Sequence, residues 1–396
     1  MTSKHPEPPG NGRPALGREL ARLIAGQLFI HGTMAGTRMA APLLALREGH
    51  TPLAVGMLLA LFALTQVFLA LPAGRYADRH GLKRPLKFAV VAATLGAGAA
   101  AALPIFPVLC LAALLTGGAT GVASICLQRH AGRVAAGPVQ LRQVFSWLSI
   151  GPAFSNFVGP FMAGLLIDNG GFRVAFFALA LMPLITWACI RGARELPPVA
   201  MAAGDRKGSA WDLLRQPDFR RLMVINWVLS SCWDVHLFIV PVLGHERGLA
   251  ASVIGTLLGT FALAAALVRL AMPLIAARLQ EWQVIAGAMA TTALVFGVYP
   301  LVAPPWAMGV CSALLGVALG SVQPMVMSTL HQITPAHRHG EALGLRLMSL
   351  NGSSVVMPML FGAAGAAVGV AGVFWSTGAV MAACTRLAFA MKPRPA

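Results

Sequence analysis

Residues 56–64 read GMLLALFAL and residues 255–263 read GTLLGTFAL, six identities in nine positions at an offset of 199. Each copy lies inside an apolar run of about 20 residues, the length a helix needs to cross a hydrocarbon layer of roughly 30 Å. The correspondence extends beyond the two copies. Pro160 and Gly164 return as Pro358 and Gly362, and Phe176 returns as Phe374, all at an offset of 198. A chain of 396 residues that repeats at half its length is expected to be a duplication, with any substrate chamber between the repeats near the bilayer midplane.

Apolar runs of this length recur along the whole chain. Twelve are expected as spans, at 22–46, 52–73, 85–105, 108–128, 144–167, 173–190, 221–243, 252–276, 283–302, 306–330, 342–368 and 372–391. The fold expected is an all-α membrane protein of 12 transmembrane helices in two pseudo-symmetric six-helix halves, residues 20–190 and 220–396. A disordered tail is expected over 1–19 and a polar linker over 191–219, where SAWDLLRQ from Ser209 reads as a short interfacial helix with a Ser cap and Trp211 as anchor.

Composition excludes a soluble protein. Hydrophobic residues make up 57% and charged residues 11%, against roughly 25% charged in soluble domains. The net charge of +17 would suggest nucleic acid, but the basic residues lie in short loops between apolar runs. With the N-terminus inside, the opposite side receives only Arg47, Arg173 and Arg247. Both termini are therefore expected in the cytoplasm of a cell with the protein in its inner or plasma membrane, and no nucleic-acid partner is expected. The six cysteines are scattered through apolar runs without a paired motif and read as packing residues. Residues 1–17 lack the apolar core and cleavage site of a signal peptide.

The loop after the second span reads GRYADRHGLKRPL, from Gly74 to Leu86. It resembles the cytoplasmic signature of the major facilitator superfamily, matching at Gly74, Asp78, Arg79, Gly81 and Lys83, with Leu82 where a basic residue is usual. The resemblance implies a gate: Gly74 permits close helix approach, Asp78 faces a helix N-terminus, and Arg79 and Lys83 add charge contacts. The aligned positions of the second repeat hold Pro273, Ala277 and Arg278, so the expected latch is asymmetric.

SIGPAFSNFVGPFMAG, Ser149 to Gly164, resembles the Gly-Pro signature of the superfamily's drug/proton antiporters at Gly159, Pro160 and Gly164, with Ala163 replacing one glycine. Close packing of small residues explains the same pattern without antiport. Gly320, Gln323, Pro324, Gly340, Glu341, Gly344 and Arg346 also look superfamily-like. The arginine that many proton-coupled relatives carry within span 4 is absent, and Arg129 falls at that span's cytoplasmic end.

Ionisable groups inside a bilayer cost about 2.5–3.5 kcal/mol on insertion scales, so those present mark pathways or pairs. His31 and Arg38 sit seven apart on one face of span 1, and Trp233, Asp234 and His236 form a compact group in span 7. Asp234 is the deep carboxylate and the first candidate for a proton site, assisted by His236 or His31. A static Asp–Arg or Asp–His pair is the competing reading. Arg38 is the expected substrate anchor or partner, and Arg269 lines the cavity or snorkels. Gln27, Asn156, Trp233, Gln323 and Asn351 are cavity candidates that also suit helix bridging.

Eighteen methionines read as apolar filler, not a copper site, and no metal or cofactor is expected. No phosphate loop ending in GK[ST] appears, so energy is expected from a gradient. No catalytic constellation is visible, and an enzyme is not expected. The leading expectation is a monomeric secondary transporter that moves a small organic solute by alternating access, with a proton or other ion as coupling partner, as proton-coupled efflux. A carrier taking up or exchanging an organic anion is the alternative, supported by Arg38 and Arg269. A non-transporting membrane sensor ranks last.

Overall fold

The computed structural model describes residues 12–50, 52–196, 209–249 and 251–392. Helices dominate: α1 Gly12–Arg47, α2 Pro52–His80, α3 Lys83–Ala102, α4 Phe106–Val134, α5 Gly137–Leu148 and α6 Ile150–Ile190 form a first group. A second group contains α7 Pro217–Glu246, α8 Ala251–Ile275, α9 Glu281–Val298, α10 Pro305–Ile333 and α11 His339–Phe389.

Two of these helices are too long to be single spans. At 1.5 Å per residue, the 41 residues of α6 would extend about 60 Å, twice the hydrocarbon thickness. The chain turns instead at Gly171, with φ 79° and ψ 175°, a conformation that a residue with a Cβ rarely adopts. In α11, 51 residues long, Gly369 repeats the turn with φ 73° and ψ 166°. Both turns separate an outgoing helical segment from a returning one, and they lie 198 residues apart. Counting each side of these turns, and the 12-residue α5 together with the first part of α6, gives twelve helical segments among the described residues. Among the described residues nine stretches are long and apolar enough to cross a membrane; α1 and the first part of α11 are not among them, and 137–190 counts as one.

The packing of α1–α6 recurs in α7–α11. Contacts between α1 and α6, α2 and α4, α3 and α4, and α3 and α6 have counterparts between α7 and α11, α8 and α10, α9 and α10, and α9 and α11. Individual contacts repeat as well. A Cβ on Gly117 would collide with the backbone of Phe62, and one on Gly316 with the backbone of Phe261. Both members of that pair are separated by 199, and Phe62 and Phe261 belong to the duplicated stretch. Phe176 and Phe374 are both fully buried.

Within the first group, α1 and α6 meet through small residues and hydroxyls. A Cβ at Gly159 would strike the carbonyl of Gly32, and Gly164 faces Met39. Thr33, Ser155 and Thr186 donate to the carbonyls of Leu179, Leu28 and Gly26 at 3.1, 2.9 and 3.0 Å, which closes the seam with hydrogen bonds worth roughly 0.6 kcal/mol each.

Two expectations at the edges change. Helix α1 begins at Gly12, inside the stretch expected as a tail, while residues 1–11 lie outside the described residues. In the linker, 197–208 lie outside them too, and the expected capped helix is a 3-10 segment, Ala210–Arg215, in which the Ser209 side chain makes no cap bond. Buried Ala210 and Leu213 fix it to the bundle, and the Ser209 carbonyl accepts from Arg338 at 2.8 Å.

Candidate functional site

The two groups meet most closely where the loops after α2, α4, α8 and α10 converge, the end of the bundle rich in Arg and Lys. Gly74 of α2 lies against Gly340 of α11 so closely that a Cβ on either would enter the other's backbone, and Gly344 repeats the approach against Ala70. That proximity brings Asp78 onto the first turn of α11. Its Oδ1 accepts from the Gly340 N–H at 2.9 Å and its Oδ2 from the Glu341 N–H at 3.1 Å. A helix N-terminus presents such unpaired N–H groups and a positive dipole end, so a carboxylate is favoured there.

Arg129 of α4 completes the cluster. Its Nε donates to Asp78 Oδ1 at 2.6 Å, with the two side chains only 3% and 8% exposed. Arg75 and Arg338 both reach Glu341, at 2.9 and 2.8 Å. A second bridge lies beside it: Arg142 of α5 donates to Glu281 of α9 at 3.1 Å, and Ser328 and Gln332 donate to the same carboxylate oxygen at 2.9 and 2.7 Å. Beside them the rings of Phe145, His331 and His339 pack in a tilted series, with centroids 4.7 and 4.4 Å apart. Among the described residues the ion pairs joining the two groups, Arg75–Glu341 and Arg142–Glu281, are both at this end.

The signature loop divides into active and idle members. Gly81 has φ +77°, and a Cβ there would enter the Glu195 carboxylate. Glu195 Oε1 accepts from the Leu82 N–H at 2.6 Å and so caps the start of α3. The charge contacts expected of Arg79 and Lys83 are not made: Arg79 is exposed without an ion pair among the described residues, and Lys83 meets Glu195 through its backbone N–H. Arg79 lies where water competes for its charge, and Lys83 is half-buried.

The deep polar residues sort into separate places. His31 of α1 is within hydrogen-bond reach of Asn156 of α6, while Arg38 stands two turns further along the same face of α1 and acts on it only through its charge. Gln27 and Gln323 come together with Gln128 and Ser149 around a small pocket closed by Phe145, Leu148, Pro152 and Met327. The Trp233–Asp234–His236 group is split. Neighbours two apart on a helix diverge by about 200°, so the compact group expected from spacing cannot share a face. His236 is fully buried, shares a hydrogen bond with Ser312 at 3.1 Å, and stacks on Phe261 at 4.1 Å; Ser312 in turn meets the Tyr299 hydroxyl at 2.9 Å. Asp234 retains an unpartnered buried Oδ2.

Arg269 does not snorkel. Its guanidinium lies 5.4 Å from the ring centroid of Trp233, and its Nε is buried without an acceptor. Arg38 is exposed and makes no ion pair with Asp234 among the described residues. Asn351 donates to the Leu347 carbonyl of its own helix at 2.9 Å and bridges no second helix among the described residues. Sequence reasoning missed Arg129, Glu195 and Arg346. Arg346 stood among the superfamily-like positions without a role of its own; α11 buries it to 7% exposure and its Nε donates to Asn226 at 3.2 Å.

A bundle of about twelve apolar helical segments, joined at one end by a buried carboxylate docked on a helix start, defines a polytopic membrane protein of the transporter type. The chain belongs to the Major Facilitator Superfamily, whose family model matches residues 23–233 and 222–396. It is similar to an uncharacterised MFS-type transporter of Methanocaldococcus jannaschii, with 22% identity over 359 residues, 86% of this chain and 90% of the relative. Its fold is similar to that of the human organic anion transporter MFSD10 (TETRAN), with a TM-score of 0.80 and 16% identity over 96% of this chain and all of that one. A bacterial homologue of the iron transporter ferroportin in an outward-facing state gives a TM-score of 0.78 and 14% identity, over 95% of this chain and 100% of that one.

Proposed function

We propose that the chain is a secondary active transporter that moves a small organic solute by alternating access, with proton-coupled efflux as its cycle. The observation that carries this reading is the docking of Asp78, paired with Arg129, on the start of α11, a contact that can hold one end of the bundle shut and must break for that end to open. The basic residues at that end support its assignment to the cytoplasm, and both termini with it. The closed cytoplasmic end then makes the present conformation outward-facing.

The repeated packing and the paired turns at Gly171 and Gly369 support two pseudo-symmetric halves, 20–190 and 220–396, joined by 191–219, that rock against each other around a central chamber. In this reading Gly74, Asp78 and Gly81 are gate residues, and Gly159, Pro160 and Gly164 serve packing of α1 on α6. Asp234, with a free buried carboxylate oxygen, carries the proton. His31, with Arg38 and Asn156, and Gln27, with Gln323, belong to the solute path.

The test is transport by the full chain in proteoliposomes under an imposed pH gradient. Wild type should accumulate solute in proportion to the gradient and release protons in exchange; Asp234→Asn should retain binding and lose the gradient dependence. Unchanged gradient-driven accumulation by Asp234→Asn would remove Asp234 from the proton path.

A further inference from the structure

Arg346 is a cation without a counter-ion in the interior of the bundle. It stands eight residues beyond Arg338 on α11, roughly 12 Å of helix rise from the basic end, and it is 7% exposed. Its Nε hydrogen-bonds Asn226 Oδ1, and no carboxylate pairs with it among the described residues. Asn226 on α7 is 6% exposed, and its Nδ2 is a buried donor without an acceptor. The guanidinium and the amide therefore present donors side by side, one carrying full charge, and no group among the described residues accepts from the amide.

Such an arrangement is costly as architecture. Both a buried unpaired charge and an unsatisfied buried amide give up hydration that nothing in the fold replaces. A ligand that accepts two hydrogen bonds and brings one negative charge removes both costs, and the planar fork of arginine suits a carboxylate or phosphate edge. The same seam carries a second polar pair further along, Ser231 and Ser353, whose hydroxyls lie 3.4 Å apart and buried. Asn226 also stands 199 residues from Gln27, itself buried with an unpartnered Oε1 in the small polar pocket described above.

We propose that Arg346 and Asn226 form an anion seat that receives the carboxylate, sulfonate or phosphate-ester head of an organic acid carried by the protein. This rests on the transporter reading and names its substrate class. It moves the anion anchor from Arg38 and Arg269 to a residue on α11.

The experiment uses the full chain in nanodiscs. Benzoate, benzenesulfonate, phenyl phosphate and the alkyl carboxylates from butyrate to dodecanoate are compared with benzamide and benzyl alcohol, reading thermal midpoint and the fluorescence of Trp227, the neighbour of Asn226. At least one anionic head should raise the midpoint and change the fluorescence while the neutral partners do neither. Arg346→Gln should weaken anion binding at least tenfold, Asn226→Ala several-fold, and Arg346→Lys, which keeps charge but loses the fork, by about tenfold. Without ligand, Arg346→Gln should melt no lower than wild type, since it removes an uncompensated charge; a lower midpoint would assign Arg346 to structure and overturn the seat. Equal binding of neutral and anionic probes, no binding by any anion, or full anion binding by Arg346→Gln would each overturn it as well. Spin-label distances across the basic end, recorded on the same samples, separate the two readings. Opening and closing without anion selectivity sinks the seat alone, whereas anion selectivity without any opening sinks the transporter reading and leaves the seat.

Discussion

Asp78 is a carboxylate whose whole environment lies on other helices: the α11 backbone and Arg129 of α4. Removing one partner of a buried charge pair costs about 3–5 kcal/mol where the other remains charged and unpaired. Asp78→Asn should therefore destabilise the closed basic end more than Arg129→Ala: it strands the buried Arg129 charge and turns an amide N–H toward a backbone donor, whereas Asp78 without Arg129 keeps both bonds to the start of α11. Thiol-labelling rates at a cysteine placed on the buried face of α2 should rise in that order. Glu195→Ala should lose the cap at Leu82 and cost about 0.5–2 kcal/mol, measured as a lower thermal midpoint.

At the scale of single residues, legibility followed locality. Asp78 and Gly74 were readable because their chemistry is written in one contiguous loop. Arg129 was not recognisable as their partner, since the contact closes across 51 positions and depends on how α4 passes α2. Arg346 falls inside the run expected over 342–368, but its partner Asn226 was not legible, since that contact closes across 120 positions. The division of Asp234 from His236 was legible from helix geometry and was overlooked in favour of proximity along the chain.

Elements tell a different story, because the duplicated stretch repeats its contacts as well as its helices. Gly117 on Phe62 and Gly316 on Phe261 are the same crossing made twice, with backbones too close for a side chain between them. Gly117→Val and Gly316→Val should each separate the crossing helices at a cost of about 1–3 kcal/mol, seen as lowered thermal midpoints of similar size. The turns at Gly171 and Gly369 lie where the apolar runs 144–167 and 342–368 give way to the next, so span boundaries were readable from apolar length. The break between α5 and α6 at Ser149 was not, because the residues on both sides are apolar and the backbone stays near helical values.

For the whole molecule, the contacts joining the two groups are concentrated in small residues and two ion-pair bridges at one end, an arrangement that can dissociate without unfolding either group. Gly340→Ala places a methyl against Gly74 and Asp78 and should bias the population toward the open basic end. Each 1.4 kcal/mol of destabilisation shifts that population about tenfold. The central claim is that opening at one end is coupled to closing at the other. Double electron–electron resonance tests it most directly, with spin labels at Arg79 and Arg278 across the basic end and at Glu48 and Glu246 across the opposite end. In Asp78→Asn the account predicts a longer Arg79–Arg278 distance together with a shorter Glu48–Glu246 distance. A basic-end distance that lengthens while the opposite end stays fixed, or two distances that never change, would contradict it.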